Sequence, residues 1–258
     1  MYLKILLKTL ILNLKSQMDY KVNFFGDFIL TICYYIFTIS IFKIIFSYSN
    51  SFKGWTFQDF YLSFLVFISI NFILETISDS LYEFFENLFS GKIDTYLCKP
   101  LNLSFIVLFS YLQPLKFIFS IIFISYLYYY IIINNLFLSI SHTIFFSASF
   151  IVYIIISICF TFIFHSLNIF SDKNLYIGYY QYHIMQLCFI PPNAYGQNIF
   201  KFLFITAPFI LCSSVPIFIL THQKTYLLYY SFIPMFIMII ISIYILKSYK
   251  KLLKSFGG

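Results

Sequence analysis

Arginine is missing from this chain of 258 residues; all sixteen basic side chains are lysine. With so much Phe, Tyr, Ile and Asn beside it, that absence reads as codon bias in an AT-rich genome rather than as a demand of any site. Charge of either sign is scarce. Only 10 % of the residues are charged against 61 % hydrophobic, and the mean hydropathy is +0.90. Soluble domains carry about 25 % charged residues, so a soluble fold is excluded and the chain is an integral membrane protein. Its apolar runs reach at least about 18 residues and do not alternate, which points to helices and away from an outer-membrane barrel.

Other absences narrow the function. The five cysteines (33, 98, 159, 188 and 212) are scattered without a CxxC pair, so neither a disulfide framework nor a metal site is indicated. His142, His165, His183 and His222 are isolated, and each reads as a packed or interfacial side chain rather than a ligand. No glycine-rich phosphate loop ending in Lys-Ser/Thr occurs, so the chain is not expected to hydrolyse ATP by itself. The apolar runs carry almost no ionisable groups, which weakens an ion-coupled secondary transporter. No Ser, Cys or His sits beside an acid within such a run, which makes an enzyme the weakest class. The net charge of +7 comes mostly from lysines near the chain ends, as the positive-inside rule expects, and there is no soluble domain to hold nucleic acid. Residues 1–21 lack a cleavage-type end, so no cleavable signal peptide is expected.

What is present is concentrated in one stretch, 75–100. Five of the nine acids fall there: Glu75, Asp79, Glu83, Glu86 and Asp94. At 100° per residue the first four share one helical stripe, with Leu74, Ile77, Leu81, Phe84, Phe85 and Leu88 opposite. Gly91 is placed to end that helix, and Asp94 to cap a short turn closed by Pro100. Two readings fit: a solvated face between spans, or a protein-docking element at the membrane surface.

The remaining chain divides into an all-α membrane domain, 1–258. Residues 1–22 place Leu3, Leu7, Leu10 and Leu14 beside Lys4, Lys8 and Lys15. They suit an interfacial helix, with a plain positive-inside anchor as the alternative. Spans are expected at 24–46, 57–78, 115–133, 143–167, 175–190 and 226–246, with a cytoplasmic region at 79–100. Between the last two spans, 193–220 is broken by Pro208 and Pro216. Were it to cross, the lysine-rich tail would face outward, so it is expected to dip in and return as a re-entrant hairpin.

These landmarks resemble a family. Gly91, Ile93, Asp94, Leu97, Lys99 and Pro100 after a second span resemble the cytoplasmic loop of ABC type-2 exporter permeases, the bacterial six-span subunits that pair with a separate ATPase. Gly54-Trp55 opening the second span, Pro191-Pro192-Asn193-Ala194-Tyr195, Lys201, Pro208 and Pro216 extend the resemblance over most of the chain. The family often has Arg where Lys99 and Lys201 stand, and Tyr-Pro where Pro191-Pro192 stands. Six spans with that hairpin leave both termini inside; the resemblance implies a homodimer or heterodimer of permease chains in the bacterial cytoplasmic membrane, each docking an ABC ATPase subunit that carries ATP and Mg. No cofactor is expected in this chain. The coupling element would hold Glu83, Phe84, Phe85, Glu86 and Leu88 as well as the loop, and the hairpin would include Pro191, Pro192, Tyr195, Pro208 and Pro216. The expected function is ATP-driven export. A non-transporting membrane scaffold is the alternative, and an ion-coupled transporter the third.

Overall fold

The protein is described from a computed structural model covering residues 2–19, 21–49, 51–52, 54–90, 102–109, 111–136, 139–170, 177–189 and 196–256. The described residues form helices, short 3₁₀ turns and one isolated bridge, Phe52 to Trp55. In chain order the helices are α1 Tyr2–Asp19, α2 Lys21–Tyr48, α3 Phe57–Phe89, α4 Leu103–Phe109, α5 Pro114–Ile133, α6 Ile140–Ser166, α7 Ile177–Met185, α8 Gln197–Thr206, α9 Ser214–His222 and α10 Tyr226–Phe256.

Five of these are long and apolar enough to cross a membrane: α2, α3, α5, α6 and α10. Their starts have local causes. A tight turn at Phe52–Trp55, with reciprocal backbone hydrogen bonds of 2.9 and 3.0 Å, leads into α3. It uses Gly54 at φ +83°, a conformation that costs other residues dearly. Asp59 then accepts from the Thr56 backbone N–H at 3.0 Å and hydroxyl at 2.9 Å, satisfying donors the helix start leaves open. Pro114 begins α5 at the first-turn position where a missing N–H costs nothing. Ser139 caps α6 by accepting from the His142 N–H at 3.3 Å.

The centre of the packing is α3, which lies against α4, α5, α6 and α9. Its 33 residues rise about 50 Å, well beyond the roughly 30 Å hydrocarbon core. Phe72 stacks on Phe123 of α5 at 5.5 Å. Tyr35 of α2 sits edge-on to Phe64, Phe72 and Phe123 at 5.9–6.3 Å. α6 forms the second buried helix, with α9 and α10 against it.

The region before α10 is folded back on itself. The axes of 198–206 and 208–222 turn by 115°, and the break falls at Ala207-Pro208, where Pro208 opens a 3₁₀ turn. Phe200 and Phe218, eighteen positions apart in the chain, lie 6.4 Å from ring to ring. A straight helix would separate them by about 27 Å. Pro216, expected to interrupt this segment as well, does not: it sits in the first turn of α9, whose N–H groups lack intrahelical partners in any case. The described part of 175–190 is α7 and a 3₁₀ turn ending at Phe189. Nine helical residues rise only about 14 Å.

Candidate functional site

Where α3 leaves the apolar core, its polar and apolar faces separate as the sequence pattern requires, and the structure shows what each face meets. Leu81 and Phe85 are fully buried and Phe84 nearly so. They pack with Ile77, Val107 of α4 and Phe162 of α6, and Leu108, Ile245 and Leu246 close over them. The apolar face expected to meet a partner is therefore, at Leu81, Phe84 and Phe85, occupied by the chain's own α4, α6 and α10. The side chain of Leu88 and all of Gly91, Ile93, Asp94, Leu97, Lys99 and Pro100 lie outside the described residues.

The acidic stripe is divided as well. Lys116 of α5 donates to Asp79 at 2.8 Å and lies 3.5 Å from Glu75. Glu75 also accepts from the Asn71 amide at 2.6 Å. Each of the three charged side chains is about one-third exposed, at 29–33 %. The pairing is thus screened only in part, and its role is to lock α3 against α5. Glu83 is half-buried and Glu86 exposed. No cation lies within 4 Å of either among the described residues. These two are the carboxylates still available to a partner.

Hydrogen bonds stiffen the same end. Ser80 donates to the Val107 carbonyl at 3.1 Å and accepts from the Tyr111 N–H at 3.3 Å. Asn87 donates back to the Glu83 carbonyl at 2.8 Å. Asn13 of α1 donates to the Leu112 carbonyl at 3.0 Å, which brings the N-terminal helix to this end. Between them lies a cleft of about 320 Å³ lined by Asn13, Ser16, Gln17, Asp79, Tyr82, Glu83 and residues 111–113. A charged helix end is thus packed through aromatic rings against α6 and α10 and tied to the α1 end of the chain.

At the hairpin, Pro208 and Pro216 are both buried, while Pro191, Pro192 and Tyr195 lie outside the described residues. Trp55, 1 % exposed, meets Phe218 edge-on at 5.5 Å, so the Gly54-Trp55 turn and the hairpin share one end of the molecule.

Sequence reasoning missed a buried polar seam joining α3, α6 and α7. Ser78 and His165 Nε2 are 2.8 Å apart, and Gln181 donates to Thr161 at 2.8 Å. Gly178 permits the approach, because a Cβ there would lie 3.1 Å from the Ser78 hydroxyl. Ser78 and His165 are 87 positions apart, so no local spacing could have announced the contact. The other histidines contact near neighbours in the chain: His142 with Ser139 at 2.7 Å, His183 against Tyr179 at 4.4 Å and His222 against Phe218 at 5.4 Å. No group of three potential metal ligands exists among the described residues.

No curated protein matches the sequence. Residues 30–257, from the tenth residue of α2 to just past the end of α10, match the family described as ABC-2 family transporter protein. Family membership and the five long apolar helices agree on a multi-pass membrane protein. The chain belongs to the ABC-2 transporter family and is a permease subunit of an ATP-binding cassette transporter.

Proposed function

We propose that this permease exports its substrate across the bacterial cytoplasmic membrane, driven by ATP and Mg bound to a separate ATPase subunit that docks at the end of α3. One observation carries the reading: α3 is the most buried of the long helices and carries, in its last two turns, the carboxylates of Glu83 and Glu86, which have no cation within 4 Å among the described residues. Displacing that end must displace what it packs against, namely α4, α6 and the C-terminal part of α10.

In this reading residues 83–100 form the coupling element and α1 lies along the cytoplasmic interface. The termini are both cytoplasmic. Five long helices leave an odd number of crossings, so the segment 175–222 must supply one more. We assign that crossing to 175–190 and the re-entrant hairpin to 193–220. The 115° bend and the Phe200–Phe218 contact support the hairpin. The exposed apolar flank of α2 leaves room for a second permease chain, identical or homologous.

The test is co-purification in mild detergent together with labelling in intact cells. A subunit with a Walker-type ATP site should co-purify, and a cysteine placed at 251 should resist an impermeant maleimide until the cells are permeabilised. Labelling of position 251 from outside would overturn the topology. A stable permease with no ATPase attached would favour a membrane scaffold.

A further inference from the structure

A groove of about 760 Å³ runs between the folded-back pair α8–α9 and the first half of α10. That volume lies within the range of small-ligand pockets. Its wall along α10 extends from Tyr226 to Ile237, a rise of about 16 Å and so close to half of a roughly 30 Å hydrocarbon core. The groove therefore has the depth of one leaflet, the leaflet at the end of α10 opposite the lysine-rich tail.

Its lining is mostly apolar, with Phe204, Ile205, Ile233 and Ile237 among it. Two ammonium groups, Lys201 and Lys224, belong to the lining, and no acidic residue does. Lys224 lies over the Phe218 ring at 4.6 Å. Neither lysine has a carboxylate within 4 Å among the described residues. Pro234, inside α10, also lines the groove; its missing N–H leaves the Tyr230 carbonyl without its helical donor. An apolar slot one leaflet deep with two unneutralised cations fits one kind of occupant.

We infer that this groove holds an anionic membrane lipid, its head group between Lys201 and Lys224 and an acyl chain along α10 towards Ile237. The site is independent of ATPase docking, because every group that forms it lies in α8, α9, α10 and the residues flanking them, away from Glu83 and Glu86.

The chain carries its own reporter. Trp55 is the single tryptophan, is shielded from bulk lipid at 1 % exposure, and touches Phe218 of the groove wall. The permease alone, in phosphatidylcholine nanodiscs, is compared with a minor share of either acyl-brominated phosphatidylglycerol or acyl-brominated phosphatidylcholine. Quenching of Trp55 should favour the brominated phosphatidylglycerol by on the order of fivefold per lysine. Lys201→Gln with Lys224→Gln should cancel that preference, and Lys201→Arg with Lys224→Arg should keep it, which separates charge from folding. Equal quenching by both lipids in the unaltered protein would overturn the inference, as would a preference that survives the double Gln change. Absence of quenching by either lipid would mean that protein, such as a second copy of the chain, fills the groove, and would overturn it too.

Discussion

Two helices of nearly equal hydropathy have opposite surroundings. Along their apolar stretches only 6 % of α2 is buried, against 83 % of α3. The polar residues explain which is which. On α2, Thr38, Ser40 and Ser47 donate to carbonyls three or four residues back and face outward, as isolated hydroxyls in lipid do. On α3, Asp59, Ser63, Ser69, Asn71, Thr76 and Ser80 are all buried; Ser69 and Thr76 also bond back to their own helix, while Asn71 reaches Glu75 and Ser80 reaches Val107 of α4. Total hydropathy reports that a helix is soluble in lipid. The placement of small and polar side chains reports that it belongs inside the bundle.

The sharpest way to break this comparison is to truncate one side chain on each helix. Phe85→Ala removes a fully buried ring from the junction of α3, α4 and α6 and should destabilise the fold by about 3–5 kcal/mol. Ile36→Ala on α2, where the side chain is 59 % exposed, should stay within about 0.5 kcal/mol. Thermal unfolding in one detergent checks both. Equal losses would mean that the exposed flank of α2 is as tightly packed as α3, by a partner chain.

Next in size, Lys116→Ala leaves Glu75 and Asp79 facing each other without their cation. It should cost about 1.5–3 kcal/mol, and Lys116→Arg should recover part of it. Since the group is about one-third exposed, added salt should narrow the difference between variant and parent. Smaller again, Gly178→Ala puts a Cβ 3.1 Å from the Ser78 hydroxyl. A shift of a few tenths of an ångström relieves it, so the expected cost is about 1 kcal/mol, read by the same unfolding curve.

Much of this architecture was legible from residue pattern. The starts of the long helices were legible, because Pro114, Ser139 and the Gly54-Trp55 turn act locally; the expected spans stop short of the ends of α3 and α10, since these helices run on to Phe89 and Phe256. The amphipathic character of 75–89 was visible at 100° per residue. What covers its apolar face was not: Val107 and Phe162 are remote in sequence, and an apolar stripe looks the same whether it waits for a partner or has one already. Similarly, Lys116 showed only as a lone charge before an apolar run, and its contact with Glu75 and Asp79 depends on how α3 and α5 align. Pro216 misled because a proline's effect depends on its position within the helix, which the sequence does not state. Pro234, which sits inside a long helix, gave no break at all.

The packing changes what a docking experiment must probe. Phe85→Ala weakens the seat of the helix end, whereas Glu83 and Glu86 lie on the face left free, so only the acids test contact with an ATPase directly. The decisive measurement is capture of the partner ATPase and ATP hydrolysis by the reconstituted pair, across a salt series, for Glu83→Lys combined with Glu86→Lys. The account predicts several-fold weaker capture and reduced permease-dependent hydrolysis at low salt, with the unfolding temperature of the permease unchanged. Full capture and full coupling in that double variant, at every salt concentration, would contradict it.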